Sequence, residues 1–194
     1  MVPASPERRS SFVAEFLTDI ETLRRRARQE IDKGPVTDAY GADLDRVLQV
    51  LNEALATEIV CTLHYKRHYY TATGLHSEPV AAEFLEHAQE EQQHADKLAD
   101  RIVQLGGEPD FDPDTLTTRS HAGYDAGTGL IDMIREDLVA ERVAVASYTE
   151  IIQWLGDRDP TTRRVFEDLL AQEEEHADDL RGLLERIPRD AEKD

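Results

Sequence analysis

Apolar residues recur along the chain at the three- and four-residue intervals of a helix face, and no stretch alternates as a half-buried strand would. Breaker residues divide this pattern into five helical stretches. The first covers residues 11–33, with Phe12, Phe16, Ile20, Leu23, Ala27 and Ile31 on one face, and Gly34-Pro35 ends it. The second covers residues 43–73. The third covers residues 78–105, opening on a proline tolerated in a first turn and closing at Gly106-Gly107. A loop of about twenty residues rich in Gly, Pro, Asp and Thr follows. Helices over residues 129–155 and 161–187 complete the chain, stopped by Pro188. Four long helices with short, long and short connections predict an all-α fold: a four-helix bundle with one long crossover and an extra N-terminal helix. The division expected is an N-terminal helix and linker over 1–36, the bundle over 37–188 and a polar tail over 189–194.

The apolar seams carry charges where a core belongs. In the second helix the two seven-residue series are Leu44, Leu51, Glu58, Tyr65 and Leu48, Leu55, Thr62, Tyr69. In the third they are Val80, His87, His94, Arg101 and Phe84, Glu91, Leu98, Leu105. The fourth gives Ile134, Glu141, Tyr148, Leu155, and the fifth gives Phe166, Glu173, Leu180, Ile187 beside Leu169, His176, Leu183. A buried ion without a partner costs several kcal/mol, so four seam carboxylates require compensating cations. No Lys or Arg lies at their level, since Arg101 is a heptad beyond His94. Two Fe²⁺ would match four Glu carboxylates in charge, with His94 and His176 as neutral ligands.

The pattern repeats internally. Glu58 precedes Glu91-Gln92-Gln93-His94 by 33 residues, and Glu141 precedes Glu173-Glu174-Glu175-His176 by 32. Spacing of i, i+3 places the Glu and His of each unit on one helix face. Tyr65 and Tyr148 each follow a seam Glu by seven residues, a register from which a phenol can hydrogen-bond a ligand carboxylate or donate an electron. One E-x-x-H in so acidic a chain means little; two, with matched Glu and Tyr, make a two-metal site.

Composition sharpens this in two respects. The formal net charge of -19 argues against nucleic acid and for cations, and it is uneven, because residues 1–33 are nearly balanced. Cys61 is the single cysteine, which excludes an intrachain disulfide and any CxxC metal site and fits a reducing, cytoplasmic compartment. No membrane span and no signal peptide are expected.

At the motif residues the chain resembles the bacterioferritin and Dps-like branches of the ferritin superfamily. The stretch from Leu51 to Val60 is similar to the bacterioferritin first-helix motif, and Glu91–Asp96 and Glu173–His176 to its two E-x-x-H motifs. The resemblance covers residues 42–187. It implies a ferroxidase centre holding two iron ions per chain, with manganese or zinc as alternatives. Its ligands would be Glu58, Glu91, His94, Glu141, Glu173 and His176, with Glu91 and Glu173 nearest both ions and Tyr65 beside them. O₂ or H₂O₂ would be the oxidant, and a homo-oligomeric shell would take the product. Gln92 stands where the haem-ligand methionine would fall, so no haem is expected. The residues after Ile187 leave no room for a fifth helix lining fourfold pores, which favours twelve subunits over twenty-four. The cysteine pair of the Dps-like group with this type of site is absent. The alternatives are a non-storing di-iron or di-manganese redox enzyme, peroxidase- or catalase-like, and a DNA-protecting Dps-type protein.

Weaker signals complete the expectations. Cys61 reads as a packed core residue and His87 as a hydrogen-bonded core histidine. His64, His68, His76 and His121 lie off the ligand stripe and are expected to be exposed. Asp137, one turn before Glu141, is a candidate to orient a ligand histidine. The cluster Arg24-Arg25-Arg26-Ala27-Arg28 reads as a solvated or intersubunit face rather than a DNA contact.

Overall fold

The computed structural model describes residues 18–74 and 77–187. Its described residues are helical with no strand, and none of the helices is long and apolar enough to cross a membrane. Two compact units divide the chain, residues 1–37 and 38–194.

In the first unit, α1 spans Ile20–Gln29, capped by the Asp19 side chain, which accepts from the Thr22 amide. A single 3₁₀ turn, Ile31–Lys33, follows. The α-helix thus stops short of residue 33, breaking at Glu30, and the expected turns over 11–17 lie outside the described residues. α1 buries none of its side chains in this chain; Ile20, Leu23 and the Arg24–Arg28 cluster are exposed.

The second unit holds four long helices: α2 (Leu44–Thr71), α3 (Ser77–Gln104), α5 (Leu130–Leu155) and α6 (Pro160–Arg186). A short helix, α4 (Leu116–Arg119), interrupts the crossover. Local signals set the ends. Asp43 caps α2 by accepting from the Arg46 amide, and Asp159 caps α6 with Pro160 in its first turn. α3 ends where Gly106 takes a φ of 83°, and a Cβ on Gly107 would strike the Leu48 side chain.

α2 packs along α3, and α5 along α6; α2 also meets α5, and α3 meets α6. Pairings such as Tyr65 with Glu141 and Tyr148 with Glu58 show that α2 and α5 run antiparallel. Leu51, Leu55, Phe84, Leu98, Ile102, Ile134, Leu155, Phe166, Leu169 and Leu180 fill the core above and below its polar middle. Burying each contributes about 1.5–3 kcal/mol, enough between them to carry that polar middle.

The crossover is fastened to α2 along its length. Asn52 accepts from the Asp110 amide (2.7 Å), Arg119 donates to the carbonyls of Asn52 and Asp110 (3.0 Å each), and Thr57 Oγ1 accepts from the His121 amide (2.9 Å). At the far end of the bundle Asp159 is a second tie. It accepts from Tyr40 (2.8 Å), Arg101 (3.0 Å) and Thr162 (2.6 Å). Arg101 is therefore buried against Asp159, away from the seam carboxylates.

A candidate two-metal centre

All six expected ligands are buried at mid-bundle, none more than 3% exposed. Glu58 comes from α2, Glu91 and His94 from α3, Glu141 from α5, and Glu173 and His176 from α6. They form two overlapping clusters: Glu58, Glu91, His94 and Glu173 bring one donor atom each to within 4.8 Å of one another, as do Glu91, Glu141, Glu173 and His176. Glu91 and Glu173 belong to both. The i, i+3 spacing accomplishes this, since on α3 and α6 it aims a carboxylate and an imidazole at one point.

The imidazole orientations are set from outside. His94 Nε2 donates to Gln172 Oε1 (3.0 Å), and His176 Nε2 donates to Glu90 Oε2 (2.8 Å). Each outward nitrogen thus carries the proton, and each Nδ1 lone pair turns inward, as in metal-ligating histidines generally. Glu90 and Gln172 precede the Glu of the two motifs, and each serves the histidine of the other motif. The sequence reading missed both; the signal available was that register, one residue before each E-x-x-H.

Two tyrosines brace the carboxylates in the same crosswise manner. Tyr65 donates to Glu141 Oε1 and Tyr148 to Glu58 Oε1, both phenols being buried. His87 is buried too, with its Nδ1 3.2 Å from the Tyr65 hydroxyl and its ring stacked on His176 at 4.1 Å. Cys61 lies against Ala122 and Ala140. Burial, with Glu91, Glu141, Glu58 and Glu173 around it, pushes its thiol well above the ordinary value.

The inward surface is unsatisfied. Both oxygens of Glu91, both of Glu173, Glu141 Oε2 and the Nδ1 atoms of His94 and His176 are buried without a well-formed hydrogen bond. His94 Nδ1 does lie 3.0 Å from Glu173 Oε1 and His176 Nδ1 3.3 Å from Glu91 Oε1, but as ion-pair approaches. Protons must substitute for the missing charge. Burial raises Glu91 far above the carboxylate range and lifts Glu141 to about 7, where the neighbouring Glu173 adds to it. Burial alone would lower His94, but its contacts with Glu173, Glu58 and Glu91 raise it to about 12. Once those protons leave, four carboxylates and two inward imidazole nitrogens make the donor set that a pair of divalent transition-metal ions takes.

Three weaker expectations need correction. His64 and His68 are buried, not exposed, because the crossover covers that face of α2. Asp137 is also fully buried but orients neither ligand histidine; its carboxylate lies between His64 (3.2 Å) and His68 (2.9 Å). It faces α2 one turn from Glu141, whereas His94 and His176 stand on α3 and α6. His121 is exposed as expected, and His76 lies outside the described residues.

Comparison with known proteins agrees with this geometry. The ferritin-like domain family matches residues 48–190. The chain is 33% identical over 158 residues to the DNA protection during starvation protein of Pyrococcus furiosus, covering 79% of this chain and 84% of that one. It is 30% identical to the bacterioferritin of Brucella melitensis, covering 76% and 88% respectively. Among solved structures it is similar to the dodecameric thioferritin, a bacterioferritin-related protein, of Bacteroides fragilis. That likeness has a TM-score of 0.74 at 33% identity and covers 78% of this chain and 92% of that one. With its all-helical bundle and its buried carboxylate and histidine clusters, the chain belongs to the ferritin-like family of iron-storage and Dps-type proteins.

Proposed function

We propose that the chain is a ferroxidase that stores and detoxifies iron. The observation that carries this reading is the pair of overlapping clusters whose inward atoms make no well-formed hydrogen bond. Glu58 and His94 would hold one Fe²⁺, Glu141 and His176 the other, with Glu91 and Glu173 bridging. Iron here is substrate as much as ligand. Two Fe²⁺ give up one electron each; O₂ takes both with two protons and leaves as H₂O₂, or H₂O₂ takes both with two protons and leaves as water. The chain's own work is positional: Tyr65, Tyr148, Glu90 and Gln172 hold the ligands in place before the ions arrive.

No haem enters this reading, since Gln92 occupies the position of the haem methionine and its amide donates to Asp96 (3.1 Å). Twelve subunits are proposed on the strength of the dodecameric relative and of Leu63, Val103 and Val139, each at least half exposed on the single chain. The net charge of -19 opposes a DNA-binding role.

The test is titration of metal-free protein with Fe²⁺ in air, following ferric absorbance and solubility past two ions per chain. Rapid oxidation of two, then soluble uptake of many more, supports both oxidation and storage. A stop at two points instead to a non-storing di-iron enzyme, and oxidation no faster than in buffer removes the ferroxidase reading.

A further inference from the structure

A second polar cluster lies one helical turn from the six-ligand centre, and the proposed chemistry does not use it. His64 and His68 stand at i and i+4 on α2, next to Tyr65, and Asp137 stands one turn before Glu141 on α5. All three are buried, with His68 and Asp137 fully so. Their donor atoms lie within 4.8 Å of one another.

The hydrogen-bond inventory there does not balance. His64 Nε2 faces the Asp125 carbonyl and His68 Nε2 faces the Ala126 carbonyl (3.2 Å). A carbonyl oxygen only accepts, so both Nε2 atoms carry protons. A neutral imidazole then has a bare lone pair at Nδ1. Both Nδ1 atoms point at Asp137, 3.2 Å away for His64 and 2.9 Å for His68, and an ionised carboxylate also only accepts. With both imidazoles neutral and Asp137 ionised, three acceptors converge, His68 Nδ1 meeting both Asp137 oxygens (3.0 and 2.9 Å), and only a proton or a cation can join them. Burial lowers His64, which disfavours its imidazolium form.

A metal ion repairs it directly. Donors about 2.0–2.1 Å from a small divalent ion lie about 2.9–3.4 Å from each other at ordinary coordination angles, and the His64 and His68 Nδ1 atoms approach Asp137 to 3.2 and 2.9 Å. Two imidazoles and one carboxylate suit zinc or ferrous iron, and the carbonyls on both Nε2–H groups are the outer supports such ligands carry. We infer that His64, His68 and Asp137 form a third, mononuclear site for a divalent transition-metal ion, zinc or ferrous iron, separate from the two-metal centre. Since Asp125 and Ala126 belong to the crossover, an ion there fastens the end of that loop to α2 and α5.

The inference does not depend on the ferroxidase reading, and zinc tests it without redox chemistry. Crystals of the full chain soaked in zinc chloride should give an anomalous peak at the zinc edge between His64 Nδ1, His68 Nδ1 and Asp137. In solution, His68→Asn should retain one zinc fewer per chain than wild type after dialysis. Absence of the peak overturns the inference, as does an unchanged zinc count in a folded His68→Asn protein. Should that variant not fold, the wild-type crystal decides alone.

Discussion

The phenol of Tyr148 on α5 donates its hydrogen bond to Glu58 on α2, not to Glu141 on its own helix. The bond fixes the rotamer of Glu58 and leaves one oxygen turned toward His94. Tyr148→Phe keeps the ring and its packing against Phe166 but frees the carboxylate. Outer supports of this kind are worth about 10–100-fold in metal affinity or activity. Stopped-flow measurement of ferric absorbance should show a loss in that range with an unchanged far-UV spectrum. A wild-type rate would mean the bond is only structural.

Glu90 and Gln172 should behave alike although one is acidic and the other is not, because both act through an imidazole Nε2–H. Glu90→Leu and Gln172→Leu are expected to weaken metal binding by about 10–100-fold each. Calorimetric titration with a divalent ion checks this. Loss on Glu90→Leu alone would show that charge, rather than ring orientation, is what matters.

Glu91 separates folding from function. Its two oxygens are buried without hydrogen bonds in the metal-free chain, a cost of about 1–3 kcal/mol. Glu91→Leu should therefore raise the stability of the metal-free protein by about that amount. The same change should abolish stabilisation by iron, which for wild type reaches about 2.7 kcal/mol at a hundredfold excess over Kd. Thermal melts with and without Fe²⁺ under nitrogen test both halves, and a variant still stabilised by iron would contradict the bridging role.

Asp159 predicts an acid dependence. Burial would raise its carboxyl, but bonds from Thr162 and Tyr40 and the charge of Arg101 hold it below 3.8. A depressed native value stabilises the fold at pH above 3.8, and that contribution disappears as pH falls through the lower native value. Asp159→Ala leaves Arg101 buried without its partner and should cost about 3–5 kcal/mol at neutral pH. The gap between wild type and variant, read by urea melts, should narrow below pH 3.8. A gap that widens on acidification would refute the ion pair as its source.

The convergence of the six seam residues was legible in the sequence because a carboxylate in an apolar series is too costly to be an accident. The bundle connectivity was legible from loop lengths and glycine placement. Glu90 and Gln172 were not, since both sit on helices dense with exposed acids, where one more polar residue carries no mark. His64 and His68 were misplaced for a different reason. They lie off the two seven-residue series of α2, and their burial between the crossover and Asp137 of α5 is set by tertiary packing rather than by the pattern of α2. The end of α1 was also overrun, because its apolar periodicity continues to Ile31 while nothing in its own unit buries it.

The crosswise bracing of the centre makes it a joint between two hairpins. Tyr65 from the α2–α3 hairpin steadies the Glu of α5, Tyr148 returns the service, and Glu90 and Gln172 exchange histidines between α3 and α6. Neither hairpin alone holds a ligand in its working orientation. On the proposed reading, the capacity to bind iron would appear only when the two hairpins dock, so a half-folded chain would not seize ferrous iron and expose it, loosely held, to peroxide.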